Sequence, residues 1–203
     1  MKTSLKILSQ IDQRIQNVNG FENEFSFEDF LFVSDENQNA LVVKEDQGEA
    51  SVLLCLQEKI IKRIENKIVP WDFKPELLPD LSIAIEELSH FNTYCKRAAE
   101  DREISPLELE VQAEVDKFAL ALEWLDELNQ EKLQDEIFEI LFGQCQVGAW
   151  VSGSKADRYV DAHRIARNFC RTILQQQLDS HERREKFRDF FSASPADKLS
   201  PKF

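Results

Sequence analysis

Residues 105–125 read SPLELEVQAEVDKFALALEWL, and the fold turns on how this stretch is read. Ser105 is placed to cap a helix, Pro106 suits the first helical position, and Glu108 can reach back to the Ser105 amide. Leu107, Val111, Val115, Phe118, Leu122 and Leu125 then recur at steps of three and four, so one face stays apolar throughout. The spacing predicts a helix of roughly twenty residues, long enough to organise a helical body around it.

Similar patterns lie on either side. Upstream, a long helix is expected from about Asp80 to Ala99. Downstream, Leu133, Ile137, Ile140 and Leu141 form a shorter apolar stripe that stops at Gly143. Ser154-Lys155-Ala156-Asp157 resembles another cap and opens a helix expected to reach about Leu178. Antiparallel packing is the simplest arrangement of such helices, with turns near 100–105, 129–132 and 143–153. Towards the N-terminus, Leu8, Ile11 and Ile15 mark an amphipathic helix that Asn19-Gly20 ends. Three apolar runs between Asn-, Asp- and Gly-rich turns follow within 28–56, with 40–44 and 50–55 read as a hairpin. Ile60, Ile61 and Ile64 restore the helical period before Pro70, and the proline-rich PWDFKPELLPD forms a connector. The expected fold is mainly α, an antiparallel helical bundle with a small N-terminal antiparallel β element. Residues 1–70 form the N-terminal layer, 71–178 the helical body, and 179–203 a charged helix and tail.

The 203 residues are 42% hydrophobic, enough to bury a substantial core, and carry a formal charge of −13. An acidic chain is a poor general ligand for nucleic acid or anionic lipid, since both require a basic surface. Cys55, Cys95, Cys145 and Cys170 are widely spaced and lack the paired spacing of zinc or redox motifs, so unbridged thiols are expected. No apolar run approaches a membrane span, and the N-terminal segment is broken by Ser9, Gln10 and Asp12. The expected location is the cytoplasm.

Two sequence matches to catalytic loops fail on inspection. Gly148 to Lys155 has the outline of a phosphate loop, but the lysine is one place late and no buried strand leads in. Ser152-x-x-Lys155 lacks the companion motifs of acyl-serine enzymes. Both are read as a glycine-containing turn before a helix cap.

Inward-facing polar residues are more informative. Glu110 and Glu114 are four apart, and Glu114 lies one turn from both Val111 and Phe118. Tyr159, His163, Ala166, Cys170 and Ile173 share one helical stripe, which carries His163 towards the core. Glu87 and His90, in the segment Glu86-Glu87-Leu88-Ser89-His90-Phe91, stand three apart on one face. That spacing resembles the Glu-x-x-His element of ferritin-like carboxylate proteins, which hold iron or manganese between helices. The resemblance is confined to Glu87 and His90, because Val160 stands three before His163 and no second half-motif exists. It implies a metal site for Fe, Mn or Zn built from Glu87, His90, Glu110, Glu114 and His163. The competing reading is a polar network that fixes helix register, with no cofactor.

Charge is also unevenly distributed. Residues 100–140 hold fourteen acids and three bases, whereas 155–171 hold five bases and two acids. Arg158, Arg164, Arg167 and Arg171 either brace the acidic helix or form a site for an anion or acidic partner. Without a complete catalytic constellation, the leading expectation is a protein-interaction or regulatory protein. Its partner would be another protein or a second copy of itself, and the alternative is the metal-binding protein.

Overall fold

A computed structural model describes residues 2–35, 38–65, 67, 69, 71, 73–143 and 153–198. The chain is mainly helical with one small three-stranded mixed sheet. Helix α4 (Pro106–Glu127) is the predicted central segment, and its capping box forms between Ser105 and Glu108. Trp124, Phe118, Val111, Val115, Leu122 and Leu125 are all buried along it. Before it come α1 (Lys2–Asn19), α2 (Glu58–Ile64) and α3 (Leu78–Ala99); after it come α5 (Gln134–Phe142), α6 (Ser154–Gln175), α7 (Ser180–Ser192) and α8 (Pro195–Lys198). One apolar core runs from Ile7, Leu8 and Ile11 of α1 through α3, α4 and α6 to Phe187 and Phe190 of α7, so the N-terminal layer shares its core with the body. Among the described residues no helix is long and apolar enough to cross a membrane.

Helix directions can be read from side-chain pairs, and they correct the expectation of uniformly antiparallel packing. Glu86 meets Lys117, Ser89 meets Asp116 and His90 meets Glu110, so residue numbers rise on α3 as they fall on α4, and the two helices are antiparallel. Glu110 meets Arg158 and Glu114 meets His163, so α4 and α6 climb together and run parallel. The physical reason is α5, which lies between them in sequence and packs on both: Phe118 of α4 contacts Phe138 and Phe142, and Arg171 of α6 meets Glu139.

The sheet contains β1 (Leu31–Ser34), β2 (Ala40–Asp46) and β3 (Glu49–Gln57) in the order β1-β3-β2. The hairpin forms as expected, with Leu41 opposite Leu54 and Val43 opposite Val52. Gln47 and Gly48 both have positive φ, as a two-residue type I′ turn requires. The wholly antiparallel expectation fails at β1, which pairs parallel to β3 with Leu31 beside Leu54 and Val33 beside Leu56. The run Ser51–Leu56 is the most apolar of the three, and it takes the centre: Leu54 and Leu56 are fully buried. β3 therefore inserts between β1 and β2, leaving both as edges.

Cys55, Cys95 and Cys170 carry no disulfide. Cys145 and most of the Gly148–Lys155 loop lie outside the described residues.

Candidate functional site

Three helices and the edge of the sheet meet around a cleft of about 690 Å³. Leu41, Val43 and Glu45 of β2 form one wall, and His90, Tyr94 and Ala98 of α3 form the floor. Leu109 and Glu110 of α4, Arg158 of α6, and the loop bearing Arg102, Glu103, Ile104 and Pro106 complete it. Tyr94 Oη donates to Glu45 Oε1 at 2.8 Å, tying the floor to the sheet wall. The sheet lining comes from alternate residues of β2 and none of β3, and β2 is an edge strand.

Beneath the cleft lies a buried ionic array spanning α3, α4 and α6. His90 Nε2 stands 3.5 Å from Glu110 Oε2, and its Nδ1 stands 3.7 Å from Glu87 Oε2. Arg158 Nη2 reaches the other oxygen of Glu110 at 3.4 Å. Deeper, Lys117 Nζ lies 2.6 Å from Glu86 Oε2 and 2.7 Å from Glu114 Oε1. Glu114 Oε2 also lies 3.7 Å from His163 Nδ1, and His163 packs 5.5 Å from the ring of Phe142. Alternating charges thus join the three helices and fix their relative register.

Most of the array holds its charges firmly, with Glu87 the exception. Burial opposes protonation of His90, but Glu110 and Glu87 outweigh it and push the imidazole up to about 10. Burial alone would raise Glu114, yet Lys117 and His163 pull it down to about 2. Burial likewise opposes the Lys117 charge, and the carboxylates of Glu114 and Glu86 raise it well above the ordinary lysine value. Glu110 is held low, against burial, by His90 and Arg158. Glu87 is raised, since burial exceeds the help it receives from His90. Tyr159 is raised by burial and then by the nearby Glu110 and Glu86.

The five residues suggested as metal ligands gather at the same helix interfaces but do not converge on a point. Glu87 and Glu110 occupy different nitrogens of His90, while Glu114 serves His163 and has Lys117 at its other oxygen. Among the described residues, no three His, Cys, Asp or Glu side chains are grouped so as to hold a metal ion. The four arginines separate as well. Arg158 enters the cleft, Arg164 pairs with Asp161 on its own helix, Arg167 donates to the Phe142 carbonyl, and Arg171 pairs with Glu139. Sequence reasoning missed Lys117, whose clue was its position three after Glu114 on a helix with no solvent face. Tyr94 shares the helical stripe of His90, but its tie to Glu45 and the place of Arg102 depend on the sheet and on a loop and were not legible.

No protein family matches this chain, and no curated protein or solved structure matches it either. The reading of function therefore rests on the cleft and the array beneath it.

Proposed function

We propose that this protein works by binding another protein, without catalysis of its own, and that it takes an extended segment of its partner into the cleft along β2. One juxtaposition carries the reading. Among the described residues no strand pairs with the outer edge of β2, and the inward side chains of that strand line the cleft. An exposed edge offers main-chain hydrogen bonds to an added strand, and an adjoining pocket selects alternate side chains. The helical body supporting it, with α3 and α4 antiparallel and α4 and α6 parallel, is a bundle cross-braced by ion pairs. It keeps the cleft floor rigid.

The fixed charges favour binding over chemistry. A general acid or base works best with a pKa near the operating pH. His90, Lys117 and Tyr159 are moved above that range and Glu110 and Glu114 below it. These groups supply a static field and do not exchange protons near neutrality.

Selection of a random twelve-residue displayed peptide library against the protein tests the reading. We expect peptides that protect β2 amides from hydrogen exchange and that lose affinity for a Leu109→Asp variant. Selected peptides that bind equally well to that variant would overturn the cleft assignment. Titration with Fe²⁺, Mn²⁺ or Zn²⁺ checks the competing class. A rise in melting temperature that His90→Gln removes would replace this reading with the metal-binding one.

A further inference from the structure

We infer that the segment held in the cleft presents an acidic side chain, and that Arg158 is the group that receives it. This rests on the binding reading above and adds the chemistry of the partner. A guanidinium has five donors in a fixed fork. Arg158 spends one of them on Glu110, at a long 3.4 Å. Its Nε is buried and has no hydrogen-bond partner. A buried donor left unpaired is costly, and the rest of the side chain is 29% exposed, so the terminal N–H groups can meet an acceptor that an incoming group brings.

The neighbouring charges favour an anion over a cation. Glu110 already faces His90 with one oxygen and Arg158 with the other, and Glu87 faces the remaining nitrogen of His90. Both acids already face a cation there, so a new cation would have to compete with His90 or Arg158. Of the other acids in the cleft, Glu45 accepts from Tyr94 and Glu103 stands exposed on the loop beside Arg102. Glu103 disfavours an anion at its own end, which leaves Arg158 as the seat. A carboxylate on the Arg158 fork makes charge-assisted bonds in a partly desolvated setting, where they are strongest.

The walls then set the residues around that acid. Leu41 and Val43 face the cleft from β2, and Ile104, Pro106 and Leu109 face it from the opposite side. Successive side chains of a bound strand point to opposite faces. An acid directed at Arg158 is therefore accompanied, two positions away, by an apolar residue lying against these walls. The recognition pattern is an Asp or Glu with an apolar residue two positions before or after it, in extended conformation.

The test uses the peptides selected above. Each is synthesised as found and with its acid changed to Gln or Asn, and affinities are measured by fluorescence anisotropy on the full chain. Loss of one charge-assisted contact should weaken binding about tenfold or more. Arg158→Gln should cause a similar loss, and peptide and protein changes together should cost little beyond either alone, because they remove the same contact. Arg158→Lys, which keeps the charge but not the fork, should restore part of the affinity. Equal affinity of acid and amide peptides for the wild-type chain overturns the inference, and this comparison stands even if an Arg158 variant fails to fold. The two readings fail separately. Peptides that occupy the cleft with no preference for an acid sink only the Arg158 assignment, whereas a selection that yields no cleft-dependent peptide sinks the binding reading itself.

Discussion

Among the buried carboxylates of helix α4, the fold treats Asp116 and Glu110 in opposite ways. Asp116 is sealed: Asn19, Ser89 and Gln112 donate to it at 3.0, 2.6 and 2.8 Å, and Lys198 closes the group by donating to Gln112 at 3.1 Å. Each donor to Asp116 is neutral and comes from a different element or turn. Glu110 belongs to a chain of full charges, its contacts with His90 and Arg158 are long, and buried atoms of Glu87, His90 and Arg158 beside it lack hydrogen bonds. A buried polar group that is fully satisfied holds structure together. One with capacity left over, next to a cleft, points to a ligand. Burial alone does not separate the two, but the count of unused donors does.

Four measurements can break or sharpen this contrast. The largest effect is expected at the deep end of the array, where Lys117→Met leaves Glu86 and Glu114 without their shared cation. Removing one partner of a buried pair typically costs about 3–5 kcal/mol, to be read from urea unfolding. In the sealed cluster, Asp116→Ala strands three buried donors and should cost about 2–3 kcal/mol by the same method. A loss below about 1 kcal/mol would mean that water replaces the carboxylate and the cluster is not sealed.

A third measurement is a pH profile. The folded pKa of His90 lies above its ordinary value of 6.5, at about 10, so its contribution is complete below 6.5 and disappears as pH rises towards 10. Stability should fall by roughly 1 kcal/mol per unit between about pH 7 and 8, and His90→Gln should remove that slope. The window closes at 8 because Lys198, lowered to about 8 mainly by burial, acts with the opposite sign above it. There the folded state sheds a proton that the unfolded chain keeps, which offsets the continuing His90 loss and flattens the profile. Smallest of all, Arg164→Ala should change stability by less than about 0.5 kcal/mol, since its pair with Asp161 is exposed. A larger loss would restore the view that the arginines of α6 act together.

How far the sequence reveals this arrangement depends on whether the deciding interaction is local. The α4 start was legible because Ser105, Pro106 and Glu108 act within one turn, and the hairpin because Gln47-Gly48 makes a turn that two residues can specify. The parallel placement of β1 was not, since nothing near Leu31 records that β3 will insert beside it. His90 could be recognised as an inward residue with a carboxylate near it. Its cross-helix neighbour, Glu110, was not legible, because the offset between α3 and α4 is set by packing along their whole length. Arg158 is indistinguishable in sequence from Arg164, Arg167 and Arg171. Only its place in the cleft lining, beside Glu110, singles it out.

The contact between Lys198 and Gln112 has a consequence in time. The two residues are 86 positions apart. A ribosome adding about 5–20 residues per second needs roughly 4–17 s to cover that distance. Once Glu127 has been added, α1, α3 and α4 are all available to dock around Asp116, but for most of the interval the lysine that closes the group has yet to be made. For those seconds Gln112 lacks its lysine donor, and closing the group waits for α8.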